Sequence, residues 1–288
     1  MQTVTRLDML RTAVADLRRG GARLALVPTM GALHEGHLTL VREAKKRAER
    51  VVVSIFVNPT QFGPNEDLDA YPRVLEEDKR LLVAEGVDLL WAPTVGEMYP
   101  EGFASSISVR AVAMHFCGEA RPGHFDGVAT VVCKLFNQVL PDFAFFGEKD
   151  WQQLAVIRQM ARDLDLGAPQ PDAIFGVGIV REPDGLAMSS RNRYLSASER
   201  TAAATLPSAM REAIARIEQG EPAGPALEAL KAALTGAGFH QIDYAGLADA
   251  ISLKPVDSLG QRPVRLLVAA RIGSTRLIDN MPLAVSAV

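Results

Sequence analysis

Two histidines three residues apart, His34 and His37, with Gly36 between them, are the side chains best suited by type and spacing to do chemistry. They stand in Pro28-Thr29-Met30-Gly31-Ala32-Leu33-His34-Glu35-Gly36-His37. The apolar run at 24–27 reads as a buried strand, and Leu38, Val41, Ala44 and Ala48 fall on one face of an amphipathic helix. The pair is therefore expected where a strand ends and a helix begins. A helix N-terminus presents backbone N–H groups and a partial positive charge, so it holds phosphate. Two imidazoles added there can meet the negative charge that builds on a phosphate under attack. Three readings compete: ordinary surface or core histidines, half of a metal site, or a nucleotide triphosphate site of the His-x-Gly-His type. The spacing is not His-Glu-x-x-His, and no acidic third ligand stands at an obvious offset. Gly31 and Gly36 let the backbone approach phosphate closely, which favours the triphosphate.

Four further segments carry polar groups in loop positions. Asn58-Pro59-Thr60-Gln61-Phe62-Gly63 follows a strand and by itself reads as a turn. Arg121-Pro122-Gly123-His124-Phe125 precedes a helix, with Arg121 solvated in the plainest reading. Gly147-Glu148-Lys149-Asp150-Trp151-Gln152-Gln153 follows another strand. There Lys149 offers a point charge to phosphate, and Asp150 can accept from a ribose hydroxyl or cap a helix. Ala187-Met188-Ser189-Ser190-Arg191-Asn192 reads as a flexible linker or as two hydroxyls and a guanidinium suited to pyrophosphate.

The elements that must position these segments alternate along the chain. Helices are expected at 5–19, 37–48, 72–85, 125–139 and 150–163, and strands at 23–27, 51–57, 87–91 and 142–146. A polar loop spans 58–70, and an irregular stretch runs to about 123. The unbroken apolar character of 51–57 fits a sheet covered on both faces. Alternation of this kind predicts an α/β fold: a Rossmann-like doubly wound parallel sheet, with ligands beyond the carboxyl ends of its strands. The pattern changes after about residue 175. A capping box, Ser196-x-x-Glu199, opens a helix reaching about 219. A second helix fills 225–236, and strands follow at 240–247 and 264–270. Residues 1–175 are thus expected to form the main domain, and 176–288 a second, smaller α+β domain acting as a lid.

Composition narrows the function classes. A chain of 288 residues can bury a large core, and 48% hydrophobic with 23% charged residues is ordinary for a globular protein. No apolar run approaches the roughly 20 residues of a membrane span, and residues 1–8 lack a signal-peptide core. Two cysteines, Cys117 and Cys133, are too few for a disulfide framework, and a cytoplasmic location is expected. A net charge of −3 argues against nucleic acid as a partner, so anionic substrates require locally concentrated basic groups.

Together the five motifs, in this order along essentially the whole chain, closely resemble the pantoate–β-alanine ligase family, within the nucleotidylyltransferase superfamily. Met188-Ser189-Ser190-Arg191 resembles that superfamily's Lys-Met-Ser-Lys-Ser-type loop, with Arg191 in place of its last basic group. Trp151 stands where the family often has Tyr, a packing difference. The resemblance implies an enzyme that joins pantoate to β-alanine in two half-reactions, using ATP with Mg2+ and forming a pantoyl-adenylate. It implies catalytic roles for His34, His37, Lys149 and Arg191. The histidines would stabilise the pentacoordinate α-phosphate, Lys149 would span α- and γ-side oxygens, and Ser189, Ser190 and Arg191 would hold the departing pyrophosphate from a mobile loop. Nucleotide contacts are implied for Met30, Gly31, Ala32, Leu33, Glu35, Gly36, Gly147, Glu148, Val180 and Met188, with Asp150 on the ribose. Gln61 and Gln153 match pantoate-binding positions, with Gln61 also bordering β-alanine. Neutral amides suit pantoate's hydroxyls because each donates and accepts. Met30, Phe62 and Val131 are candidate apolar walls, and Arg121 and His124 match a motif near the reacting centre. No protein ligand to the metal is assigned. Magnesium would rest on phosphate oxygens and waters, with Glu77 and Asp78 as candidate supports behind its waters. A homodimer is also implied.

Three alternatives stay open at this level: a nucleotidylyltransferase that keeps the nucleotide on its product, a metallohydrolase using His34 and His37 as ligands, and a non-catalytic nucleotide sensor. A tRNA synthetase is disfavoured, since no anticodon-binding module stands out and the charge is wrong for one.

Overall fold

Apolar runs build the main strands: residues 24–27, the β-branched run 51–53 and the aromatic-rich run 143–146. A computed structural model describes residues 1–64 and 66–284. The chain divides into two compact units, each drawn from more than one stretch of sequence.

The first unit takes residues 1–109, 122–148 and 156–178. Its strands are β1 (Gln2–Val4), β2 (Leu24–Thr29), β3 (Arg50–Ile55), β4 (Leu89–Trp91), β5 (Phe143–Gly147) and β6 (Ile174–Val177). They form one sheet in the order β1-β4-β3-β2-β5-β6, and every pairing is parallel. The helices are α1 (Leu7–Leu17), α2 (Glu35–Lys45), α3 (Leu75–Ala84), the single turn α4 (Val95–Met98) and α6 (His124–Val139). A short α5 (Cys117–Ala120) belongs to the other unit, and α7 (Trp151–Asp163) begins there and ends in this one. Strand order reverses between β2 and β5, which makes the carboxyl ends of those two strands the switch point of the sheet. Their ladder is short: Ala25 pairs with Phe143 and Leu26 with Ala144, and no pair follows. Pro28 has no N–H to offer a neighbour. The strands therefore part just where the histidine motif begins. Leu40, Val41 and Ala44 of α2 pack with Val27, Val51 and Phe145 under this opening. Fully burying one such aliphatic side chain contributes about 1.5–3 kcal/mol, so the start of α2 is firmly seated.

The second unit takes residues 110–121, 149–155 and the chain from 179 onward. It contains α8 (Ala197–Ala203), α9 (Thr205–Glu218), α10 (Ala223–Gly236), β7 (Gln241–Asp249), β8 (Pro255–Val256), β9 (Val264–Ile272) and β10 (Thr275–Leu283). The four strands form an antiparallel sheet in the order β10-β9-β7-β8. Leu206, Met210 and Ala213 of α9, and Leu230 and Leu234 of α10, pack on Leu266, Val268, Leu277 and Met281.

The parallel sheet and the smaller antiparallel unit agree with the sequence-based expectation of fold class. Several elements differ in detail. The helix expected from 196 to 219 is two helices meeting at Ala204, with Pro207 in the first turn of α9, where a missing N–H does no harm. The Ser196–Glu199 capping box is present. The helix expected at 72–85 starts at Leu75 and the one at 37–48 starts at Glu35. The sequence pattern does not predict β1, β6, β8 or β10. The first three have only two to four residues, and β10 carries Arg276, Asp279, Asn280 and Pro282, which hide its apolar alternation. Residues 285–288 of the expected second domain lie outside the described residues. Among the described residues, no helix is long and apolar enough to cross a membrane.

Candidate active site

The histidine motif folds as an unusual helix cap. His34 is the N-cap of α2 in extended conformation, and its Nδ1 accepts from the N–H of Gly36 at 3.1 Å. The N–H of His34 in turn donates to Nδ1 of His37 at 3.4 Å. This is a capping box made of two imidazoles, with ring centroids 4.1 Å apart. Its tautomers follow. Backbone N–H groups only donate, so each Nδ1 accepts, and each neutral ring carries its proton on Nε2. Two Nε2–H donors are thus set at the positive end of a helix, an arrangement suited to anionic oxygen. A metal-ligating histidine needs one bare ring nitrogen, whereas here each Nδ1 is taken by a backbone N–H and each Nε2 carries the proton. The cap geometry therefore opposes the metallohydrolase reading. Among the described residues, no group of three or more His, Cys, Asp or Glu could hold a metal ion.

A Cβ at Gly36 would lie 2.8 Å from Cε1 of the His34 ring, so a larger residue there would push that ring off its cap. The loop before it is held from far along the chain. Asp78, buried in the first turn of α3, accepts from the N–H groups of Ala32 at 2.9 Å and Leu33 at 2.7 Å. Gly31 has φ +83° and a Cβ there would sit 3.0 Å from Asp78 Oδ2. Asp78 thus props the histidine loop by hydrogen bonds to its backbone. Glu77 is exposed. Met30 is half-buried, Gly31 to Leu33 are buried, and Glu35 is exposed and paired with Arg42.

Gln61 closes a 3-10 turn, Pro59–Gln61, that starts at the carboxyl end of β3. Asn58 organises this turn and is 1% exposed. Its Oδ1 accepts from Thr60 and from the Tyr99 hydroxyl at 2.8 Å, and its Nδ2 donates to Gln61 Oε1 and to the Gly127 carbonyl, both at 3.1 Å. Burial holds the Tyr99 phenol above its ordinary ionisation range, so it stays a donor. Gln61 Nε2 reaches Met30 Sδ at 3.2 Å. His124, the first residue of α6, lies 2.8 Å through Nδ1 from the Gln61 carbonyl and must donate to it. Within the first unit the structure therefore joins Met30 and His124 to Gln61, and His34 to His37. Phe62 stacks edge-on against Tyr71, and Val131 is buried in α6. Gly147 and Glu148, both half-buried, follow at the end of β5.

The remaining candidates belong to the second unit. Lys149 and Asp150 sit in a 3-10 turn ahead of α7, with Lys149 Nζ 3.8 Å from Asp150 Oδ2. Gln153 is half-buried one turn on. Its neighbour Gln152, missed from sequence, is a structural strut. It accepts from Cys117 N and donates to the carbonyls of Val112 and His115. Arg121 ends α5. Val180 and Met188 are joined backbone to backbone at 3.0 Å, and Ser189 caps the turn Ser190–Tyr194 by accepting from Arg191 N at 3.2 Å.

The family model described as Pantoate-beta-alanine ligase matches residues 2–282. The chain belongs to the pantoate–β-alanine ligase family. It is 66% identical over 281 residues to the pantothenate synthetase of Novosphingobium aromaticivorans, covering 98% of each chain. It is 46% identical to the crystal structure of pantothenate synthetase from Thermus thermophilus, with a TM-score of 0.89 and coverage of 98% of this chain and 99% of that one. A pantoate–β-alanine ligase from Francisella tularensis, solved as a complex with beta-gamma ATP and β-alanine, is 32% identical with a TM-score of 0.83 over 98% of this chain and 97% of that one. Within this ligase family, the five motifs account for residues in both units.

Proposed function

We propose that this ligase condenses pantoate with β-alanine through a pantoyl-adenylate, with His34 and His37 as the groups that meet the reacting phosphate. In the first half-reaction a pantoate carboxylate oxygen bonds to the α-phosphorus of Mg-ATP, the bond from that phosphorus to the bridging oxygen breaks, and pyrophosphate leaves. In the second the β-alanine amine attacks the acyl carbon, the carbon–oxygen bond to the phosphate breaks, and AMP leaves as the amine loses its proton. Neither step needs a protein nucleophile. Magnesium enters as part of the substrate, bound to phosphate oxygens. The observation that carries this reading is the double-imidazole cap at a helix N-terminus, in which each Nδ1 accepts from a backbone N–H and leaves Nε2–H as the donor that would meet accumulating negative charge.

The remaining roles follow from the same chemistry. Lys149 and Arg191 are assigned, with Ser189 and Ser190, to the charge of the pyrophosphate, and Asp150 to the ribose. Gln61 and Gln153 are assigned to pantoate, whose hydroxyls they can both donate to and accept from. Arg121 and His124 stand near the reacting centre, His124 by fixing the Gln61 backbone. The second unit would serve as a lid, and the working form would be a homodimer in the cytoplasm.

The direct test follows products separately. ATP and pantoate without β-alanine should release pyrophosphate but no free AMP beyond trace, and AMP should appear when β-alanine is added. Release of ADP, or AMP formation that ignores pantoate, would contradict the reading. Gln61→Ala should raise KM for pantoate by about tenfold or more, the scale of leaving buried polar partners unpaired, with KM for ATP little changed. Steady-state kinetics with each substrate varied measures this, and an unchanged pantoate dependence would remove Gln61 from the pocket.

A further inference from the structure

Two adjacent residues of the edge strand β10, Asp279 and Asn280, are each 2% exposed. Their neighbours in that strand, Leu277, Met281 and Leu283, are core residues. Burying a carboxylate and an amide is costly unless both are fully hydrogen-bonded. Consecutive strand residues also point to opposite faces of the sheet, so the two side chains serve different neighbours.

On one face Asp279 takes the Arg181 guanidinium in a forked pair of bonds, 2.7 and 2.9 Å. Arg181 donates as well to the Gly185 carbonyl at 2.9 Å. It forms the base of a small hairpin: Arg181 bridges Ala187, Glu182 N donates to Leu186 O, and Met188 N donates to Val180 O. The outgoing arm of that hairpin runs directly into Ser189, Ser190 and Arg191, and Asn192 ties back to the Ala187 carbonyl. On the other face Asn280 Nδ2 donates to the backbone carbonyl of Lys149 at 2.9 Å. Its Oδ1 accepts from Arg265. The Arg265 guanidinium lies 3.6 Å over the Trp151 ring, and Trp151 Nε1 donates to the Ala250 carbonyl at 2.9 Å. Lys149 is thus anchored through its own carbonyl and through the ring two residues on.

We propose that the Asp279–Asn280 pair is a positioning device for the ligase's two phosphate-handling segments, Asn280 setting Lys149 and Asp279, through Arg181, setting the 188–191 loop. The inference rests on the reading of Lys149 and Ser189–Arg191 as pyrophosphate-side groups. Neither Asp279 nor Asn280 touches a reacting atom, so both act at one remove. A displacement of about 1 Å in a charge that must follow a moving phosphate is enough to slow the step severely.

The test variant is Asn280→Asp, which is nearly isosteric, keeps the acceptor for Arg265 and loses the donor to Lys149. Pantoate-dependent pyrophosphate release should fall about 10- to 100-fold. KM for pantoate should hold, and conversion of chemically supplied pantoyl-adenylate with β-alanine should stay near the wild-type rate. In a Lys149→Ala background the same substitution should add no further loss, because it works through Lys149. Arg181→Lys, which keeps the charge and loses the fork, probes the other arm and should slow the same half-reaction. Equal slowing of both half-reactions, or additive losses in the double variant, would overturn the proposal, as would wild-type pyrophosphate release by Asn280→Asp when Lys149→Ala is impaired. Normal adenylate formation by Lys149→Ala would instead overturn the underlying reading of Lys149.

Discussion

Pantoate-dependent release of pyrophosphate should fall about 100- to 1000-fold when His37 is replaced by alanine, the usual cost of removing one donor aimed at developing charge. The reason is electrostatic. As the carboxylate oxygen approaches the α-phosphorus, negative charge gathers on the equatorial oxygens and on the departing bridge. A neutral imidazole that donates through Nε2–H stabilises that charge more than it stabilises ground-state ATP, so the loss belongs in the rate and far less in nucleotide affinity. His37 also accepts the N–H of His34 at 3.4 Å. Losing that cap costs about 1 kcal/mol of stability, too little to unfold the domain. Pyrophosphate release measured beside a circular-dichroism melt separates the two effects. Near-normal release by a folded His37→Ala variant would refute the role given to the cap.

The second large effect is expected at Gly127, one turn into α6. Glycine inside a helix normally destabilises by about 1 kcal/mol relative to alanine, so Gly127→Ala would ordinarily strengthen the protein. Here the sign should reverse. A Cβ at 127 would lie 2.3 Å from the carbonyl oxygen of Thr60, 2.5 Å from its carbon and 2.7 Å from the N–H nitrogen of Gln61. These are backbone atoms that cannot swing aside, and overpacking of this kind costs about 1–3 kcal/mol. Relief requires the Pro59–Gln61 turn to move off α6, which breaks the bond from Asn58 Nδ2 to the Gly127 carbonyl and shifts Gln61. Gly127→Ala should therefore melt several degrees lower and show a raised KM for pantoate with KM for ATP nearly constant. A variant as stable as wild type with unaltered pantoate dependence would show that the turn does not need this close approach.

The features legible in the sequence are those that its local pattern encodes. The His34–His37 pair is legible because strand, loop and helix start are contiguous and the helical period begins at once after it. The positions of Lys149 and of the 188–191 loop are legible for the same reason, as polar residues just after an apolar run or between predicted elements, and their roles stay part of the proposal. The supports are not legible. Asp78 props Ala32 and Leu33 from 45 or more positions away, and Asp followed by helix-forming residues looks like any solvated first turn. Gly127 looks like a weak point in a helix until Thr60 is placed against it. β10 escapes the pattern because Asp279 and Asn280 interrupt its apolar alternation, and those two residues hold Arg181 and the Lys149 carbonyl through pairings 98 and 131 positions apart. The imidazole tautomers likewise depend on which backbone N–H each Nδ1 meets, and spacing alone does not fix that.

The most direct measurement is a crystal structure of this ligase with a non-hydrolysable ATP analogue and pantoate bound. The account predicts the α-phosphate oxygens within hydrogen-bonding distance of Nε2 of both His34 and His37, with the pantoate carboxylate on the side opposite the leaving pyrophosphate. A triphosphate bound away from the start of α2, or a transition metal gripped by both rings, would contradict it.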